Sequence, residues 1–100
     1  MRVNEYGNGG HVWGTLTVRN DTTTWDLHIQ DTRTDGKRVW AVLDVDRNNH
    51  GDPTFSSRPS AGAVVNFAGS THQSGTRGAR LKIDKDDSSA VEVLYVHEGD

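Results

Sequence analysis

Over residues 11–19 and 24–33, on either side of the dipeptide Asn20-Asp21, side chains alternate between two sets with a period of two. Val12, Gly14, Leu16 and Val18 are interleaved with Trp13, Thr15 and Thr17. After the dipeptide, Trp25, Leu27 and Ile29 are interleaved with Asp26, His28 and Gln30. A period of two marks a half-buried strand. Asn and Asp tolerate positive φ, so a two-residue primed turn joins the two strands. That turn pairs Arg19 with Thr22, and hence Leu16 with Trp25, Gly14 with Leu27, Val12 with Ile29 and Trp13 with His28. A slip of one residue would send every side chain to the wrong face, so the agreement of the two patterns fixes the register.

The same period recurs over residues 37–46, with Val39, Ala41, Leu43 and Val45 against Trp40, Val42 and Asp44. Shorter versions occupy 63–68, 79–84 and 90–97. No window carries sustained helical spacing. Val outnumbers Leu by 11 to 5 and Thr occurs ten times, and β-branched side chains suit a pleated surface. Six strands predict an all-β fold, a small antiparallel β-sandwich or barrel. At Thr34-Asp35-Gly36, a three-residue loop with Gly36 left-handed pairs Arg33 with Lys37. Trp25 then meets Val45, Leu27 meets Leu43 and Ile29 meets Ala41, which predicts an N-terminal three-stranded meander. Residues 1–10, with Asn8-Gly9-Gly10, read as a flexible lead-in, and residues 11–100 as a single all-β domain. The segments 47–62 and 69–78 read as long loops, with Phe55 pinning the first to the core.

Several function classes fall away. No apolar run is long enough for a transmembrane helix, so no membrane insertion is expected. The first ten residues have no apolar signal core, so any export signal is expected to have been removed. There is no Cys, hence no disulfide framework, thiolate metal site or thiol nucleophile. A sequence pI near 5.9 argues against a nucleic-acid partner. The five His residues show no ligand spacing, and Ser56, Ser57 and Ser60 lack the context of an activated nucleophile.

Two groups of side chains carry candidate chemistry. In the meander register Trp13 lies opposite His28, and Trp40 lies diagonal to it. Trp13, His28 and Trp40 would then form an aromatic platform for a protein partner or a glycan, because such rings offer apolar area with a polar handle. The second group lies in DVDRNNHGD, residues 44–52. Asp44, Asp46, Asn48 and Asp52 alternate like the oxygen donors of a calcium loop. Asp26, opposite Asp44 in the meander, would add a further carboxylate. Like charges so placed repel unless a cation or a basic group intervenes, so calcium is the candidate metal, beside a solvated acidic turn.

The run DTRTDGKRVWAVLDVD, through Asp31, Thr32, Asp35, Gly36, Lys37 and Val39, resembles a short stretch of small exported all-β proteins of actinobacteria. The resemblance implies secretion and a binding or assembly role, and it brings no catalytic residues. The expected function is a non-catalytic secreted binding or assembly module, with oligomerisation open. Alternatives are a calcium-stabilised structural domain of a larger assembly such as a toxin particle, and a small hydrolase.

Overall fold

The computed structural model describes residues 1–59 and 62–100. Ser60 and Ala61, within the 47–62 segment, lie outside the described residues. The described residues form eight strands: β1 (Arg2–Gly7), β2 (Gly10–Arg19), β3 (Thr22–Asp31), β4 (Val39–Arg47), β5 (Thr54–Ser56), β6 (Val64–His72), β7 (Thr76–Lys85) and β8 (Ser88–His97). They make two antiparallel four-stranded sheets, ordered β1-β2-β3-β6 and β5-β4-β7-β8. The sheets pack face to face as a β-sandwich. β1 lies against β8, β2 against β7 and β3 against β4.

The first hairpin has the expected register. Leu16 pairs with Trp25, Gly14 with Leu27, Val12 with Ile29 and Trp13 with His28. Asn20 and Asp21 have φ of 51° and 62°, as a type I′ turn requires. All six expected strands are present, most of them longer than the alternation marked.

An N-terminal three-stranded meander is present, but it is β1-β2-β3; the expected ladder between β3 and β4 does not form. The far side of β3 is taken by β6, with Leu27 opposite Phe67. β4 lies in the other sheet, where Leu43 pairs with Phe55 on one side and Leu81 on the other. Gly36 is left-handed at φ 74°, but its loop crosses between layers. The reason is that alternation states which side chains point inward, not what they meet. Trp25, Leu27 and Ile29 can be coplanar neighbours of Val39, Ala41 and Leu43, or can face them across a core. Only the second arrangement covers both apolar faces at once. The crossing has local supports. The Asp31 carboxylate accepts the Arg33 N–H at 3.0 Å, and the Asp35 carboxylate accepts the Lys37 N–H at 3.0 Å. The Thr32 N–H and hydroxyl both donate to the Gly9 carbonyl.

Residues 1–10 are more than a lead-in. Arg2–Gly7 pairs with β2 as β1, and Val3 is buried. Asn8 and Gly9 make the turn with φ of 52° and 78°. The Asn8 amide donates to the carbonyls of Ile83 and Ser89, each at 2.9 Å, and so ties this hairpin to the second sheet. Phe55 sits on the three-residue β5 and packs partly buried against the core, its ring 5.1 Å from that of Trp25.

Gly14 marks the tightest contact in the first sheet. It has φ 138°, and a Cβ there would run into the Asp26 carbonyl oxygen and lie 3.0 Å from the Leu27 Cα. Gly14→Ala is expected to cost about 2–4 kcal/mol, from backbone strain and overpacking together. A Cβ on Gly36 would meet no atom of the described residues within 4 Å, so Gly36→Ala should cost about 1 kcal/mol, from strain alone. Urea unfolding of the two variants tests the difference.

Candidate functional site

Antiparallel pairing places side chains on one face of a sheet in rows across the strands. On the outer face of the first sheet, Tyr6 pairs with His11, Asn4 with Trp13, Trp13 with His28 and His28 with Asn66. Four rings result, in one continuous row. Tyr6 and His11 stack at 4.1 Å and 4°, His11 and Trp13 meet at 4.6 Å and 31°, and Trp13 and His28 stack at 5.5 Å and 15°. Tyr6 is 66% exposed, and the other three rings are half-buried.

Polar groups brace the row at His11 and at His28. Asn4 Oδ1 lies 2.6 Å from His11 Nε2. The Asn66 amide donates to Asp26 Oδ1 at 3.2 Å and lies 3.3 Å from His28 Nε2. With Asn66 as donor, His28 carries its proton on Nδ1, which is buried and has no partner among the described residues. An open depression beside the row is lined by Arg2, Asn4, His11, Trp13 and Thr15. The aromatic row is therefore bordered by amide, carboxylate and guanidinium groups.

Of the expected platform, Trp13 and His28 are brought together and Trp40 is not. Trp40 lies on β4 opposite Asp84, on the outer face of the other sheet, because the chain changes layer after β3. Tyr6 and His11 were not anticipated. The signal for both was Asn8-Gly9, a strong hairpin dipeptide that sets Tyr6 opposite His11.

The expected calcium set does not assemble either. Asp26 is on the outer face of the first sheet, whereas Asp44 and Asp46 are on the outer face of the second. Among the described residues no three His, Cys, Asp or Glu side chains converge on a metal position. Basic and hydroxyl groups meet the carboxylates instead. Asp44 pairs with Lys82 at 2.6 Å and accepts the Thr54 hydroxyl at 2.7 Å. Asp52 accepts the Arg47 N–H at 3.0 Å. Asn48 is exposed, and its N–H donates to the Gly75 carbonyl.

Asp46 is only 6% exposed. It accepts the Tyr95 hydroxyl at 2.7 Å and pairs with Arg77 at 3.0 Å and Arg80 at 3.4 Å. Arg80 also lies over the Tyr95 ring, 4.7 Å from its centre. The Tyr95 hydrogen bond and the arginines hold the Asp46 carboxyl below the usual carboxylate range, against the opposing effect of burial. Burial and the Asp46 charge push the Tyr95 phenol up. For Asp44, burial raises the pKa most, but the Lys82 and Thr54 bonds together outweigh it and leave it lowered.

No family model, no curated protein and no solved structure matches this chain. The functional reading therefore rests on the geometry of its faces.

The Asp46 network generates a pH dependence. A carboxyl whose folded pKa is depressed contributes stability that is complete above the unfolded pKa and is lost as pH falls through the folded one. Wild-type urea midpoints should therefore fall steeply below about pH 4, the ordinary carboxylate value, and those of Asp46→Asn less so. Tyr95→Phe removes a hydrogen bond to a buried charge and should cost about 1.5–3 kcal/mol near neutral pH.

Proposed function

We propose that this domain is a non-catalytic binding module, and that its ligand is an oligosaccharide laid along Tyr6, His11, Trp13 and His28. The observation that carries the reading is the continuous row of four rings on an open sheet face, with two stacked contacts and one tilted by 31°. Contacts within the row cover the faces of His11 and Trp13, so the apolar area on offer is the exposed Tyr6 ring at the end of the row and the outward edges of the others, suited to the C–H face of a pyranose ring. The hydroxyls of such a ring point sideways, where Asn4, Asn66, Asp26 and Arg2 offer donors and acceptors. A few well-placed polar groups around an apolar strip are the usual make-up of a small-molecule site. The row crosses three strands, so it fits a chain of sugars better than one. The reading also accords with the exported setting that the sequence resemblance implies.

The test is titration of the full chain with neutral oligosaccharides, followed by calorimetry and tryptophan fluorescence. Trp13→Ala and Tyr6→Ala should each weaken binding by about tenfold or more, the size of a truncated interface anchor. Trp40→Ala, on the other outer face, should leave the affinity unchanged. Thermal melts identify any loss of binding that comes from unfolding. Failure of every oligosaccharide to bind, or equal loss in Trp40→Ala, would overturn the reading.

A further inference from the structure

A sheet edge presents a row of unpaired N–H and C=O groups, and folded proteins blunt such edges with charge, bulges or short strands. This sandwich has four edges, β1, β6, β5 and β8, and three are blunted. β1 is short and carries Arg2 and Glu5. β5 has three residues. β8 carries Glu92 and breaks register twice against β7, between Leu81 and Lys82 and between Ile83 and Lys85.

β6 has none of these devices. It runs nine residues, VVNFAGSTH, without Asp, Glu, Lys, Arg or Pro. It pairs with β3 without a register shift from Thr22 opposite His72 to Gln30 opposite Val64. Among the described residues no strand lies on its far side. Val64 is 49% exposed and Val65 is half-buried. The layer beneath ends in the short β5, so this flank of the core has the thinnest cover.

We propose that β6 pairs antiparallel with β6 of a second copy of this chain, about a two-fold axis at Ala68, to make one eight-stranded sheet. The strand's own sequence favours a second copy over an unrelated strand. A two-fold axis must keep inward side chains opposite inward ones, which requires it to pass at a residue. Ala68 is the midpoint, so an axis there uses all nine residues. Phe67 then meets Gly69 of the second copy, a large side chain against none, and Val65 meets Thr71. On the outer face Asn66 meets Ser70. No carboxylate or lysine faces its like anywhere along the strand, so the repulsion that limits self-pairing is missing. Symmetric, self-complementary contacts of this kind are the commonest way that soluble chains associate. The axis stands perpendicular to the sheet, so the two aromatic rows share one face. Their β3 strands lie three strand spacings apart, about 14 Å.

Sedimentation equilibrium and native mass spectrometry on the full chain, from micromolar to millimolar, test the proposal. The wild type should show a monomer–dimer equilibrium. Ala68 is exposed, so Ala68→Lys should keep the monomer fold and weaken the dimer about tenfold or more. Ala68→Glu should also weaken the dimer, with a small added cost to the monomer because position 68 lies opposite Asp26 on β3. An equimolar mixture of the two should recover a dimer containing one of each, because opposite charges then face across the axis. Ala90→Lys, on β8, should dimerise like wild type. A monomer at every concentration overturns the proposal. So does a dimer that survives Ala68→Lys, one that Ala90→Lys disrupts, or failure of the mixture to pair. Binding of oligosaccharide is not part of the readout, so the outcome is independent of the proposed ligand.

Discussion

Everything in this molecule depends on two valine-rich sheet faces closing on each other. Val12, Leu16, Val18, Leu27 and Ile29 from one layer meet Val39, Ala41, Leu43, Leu81 and Ile83 from the other, and all are almost completely shielded from water. Each fully buried aliphatic side chain of this size contributes about 1.5–3 kcal/mol. With few such residues in the chain, none can be spared on an uncovered face. That shortage explains why β4 leaves the first sheet. A strand beside β3 would have repeated an apolar surface, whereas a strand beneath it covers one.

The two outer faces take different roles. The first sheet turns outward an aromatic row bordered by amides, with little charge. The second turns outward an ion-paired lattice in which Asp44 and Asp46 on β4 are matched by Arg77, Arg80 and Lys82 on β7. Surface pairs of this kind are worth little singly. Asp46 differs because it is nearly buried and gathers two guanidinium groups and a phenol. Its surroundings make one face a set of satisfied charges and leave the other face as the surface with apolar area to offer.

The sequence was most legible where neighbours in space are neighbours in the chain. The Asn20-Asp21 hairpin, its register and the pairing of Trp13 with His28 follow from alternation and turn chemistry alone. Gly36 was legible in its left-handed backbone, but not in where its loop leads, because a loop's conformation does not name the layer beyond it. Trp40 and Asp44 were misplaced by that one crossing, since each was set beside a β3 residue, His28 or Asp26, through an assumed β3–β4 ladder. The basic partners of Asp44 and Asp46 come from a strand more than thirty residues further on, and no local pattern announces such pairs. Tyr6 and His11 were within reach, because Asn8-Gly9 is as strong a turn signal as the one that was used.

The crossing after β3 also governs how the chain can fold. Neither sheet is a continuous stretch of sequence. The first is completed by β6, which arrives after β4 and β5 have been placed in the second. The second is completed by β7 and β8, which follow the last strand of the first. The local units include the β1-β2-β3 meander and the β7-β8 hairpin, and an isolated hairpin is at best marginal in water. Neither layer can mature and wait for the other, so intermediates with one finished sheet have no contiguous segment from which to form. Non-local strand pairing of this kind is slow to assemble. Its compensation is cooperativity, since the loss of any inner strand removes support from both layers at once.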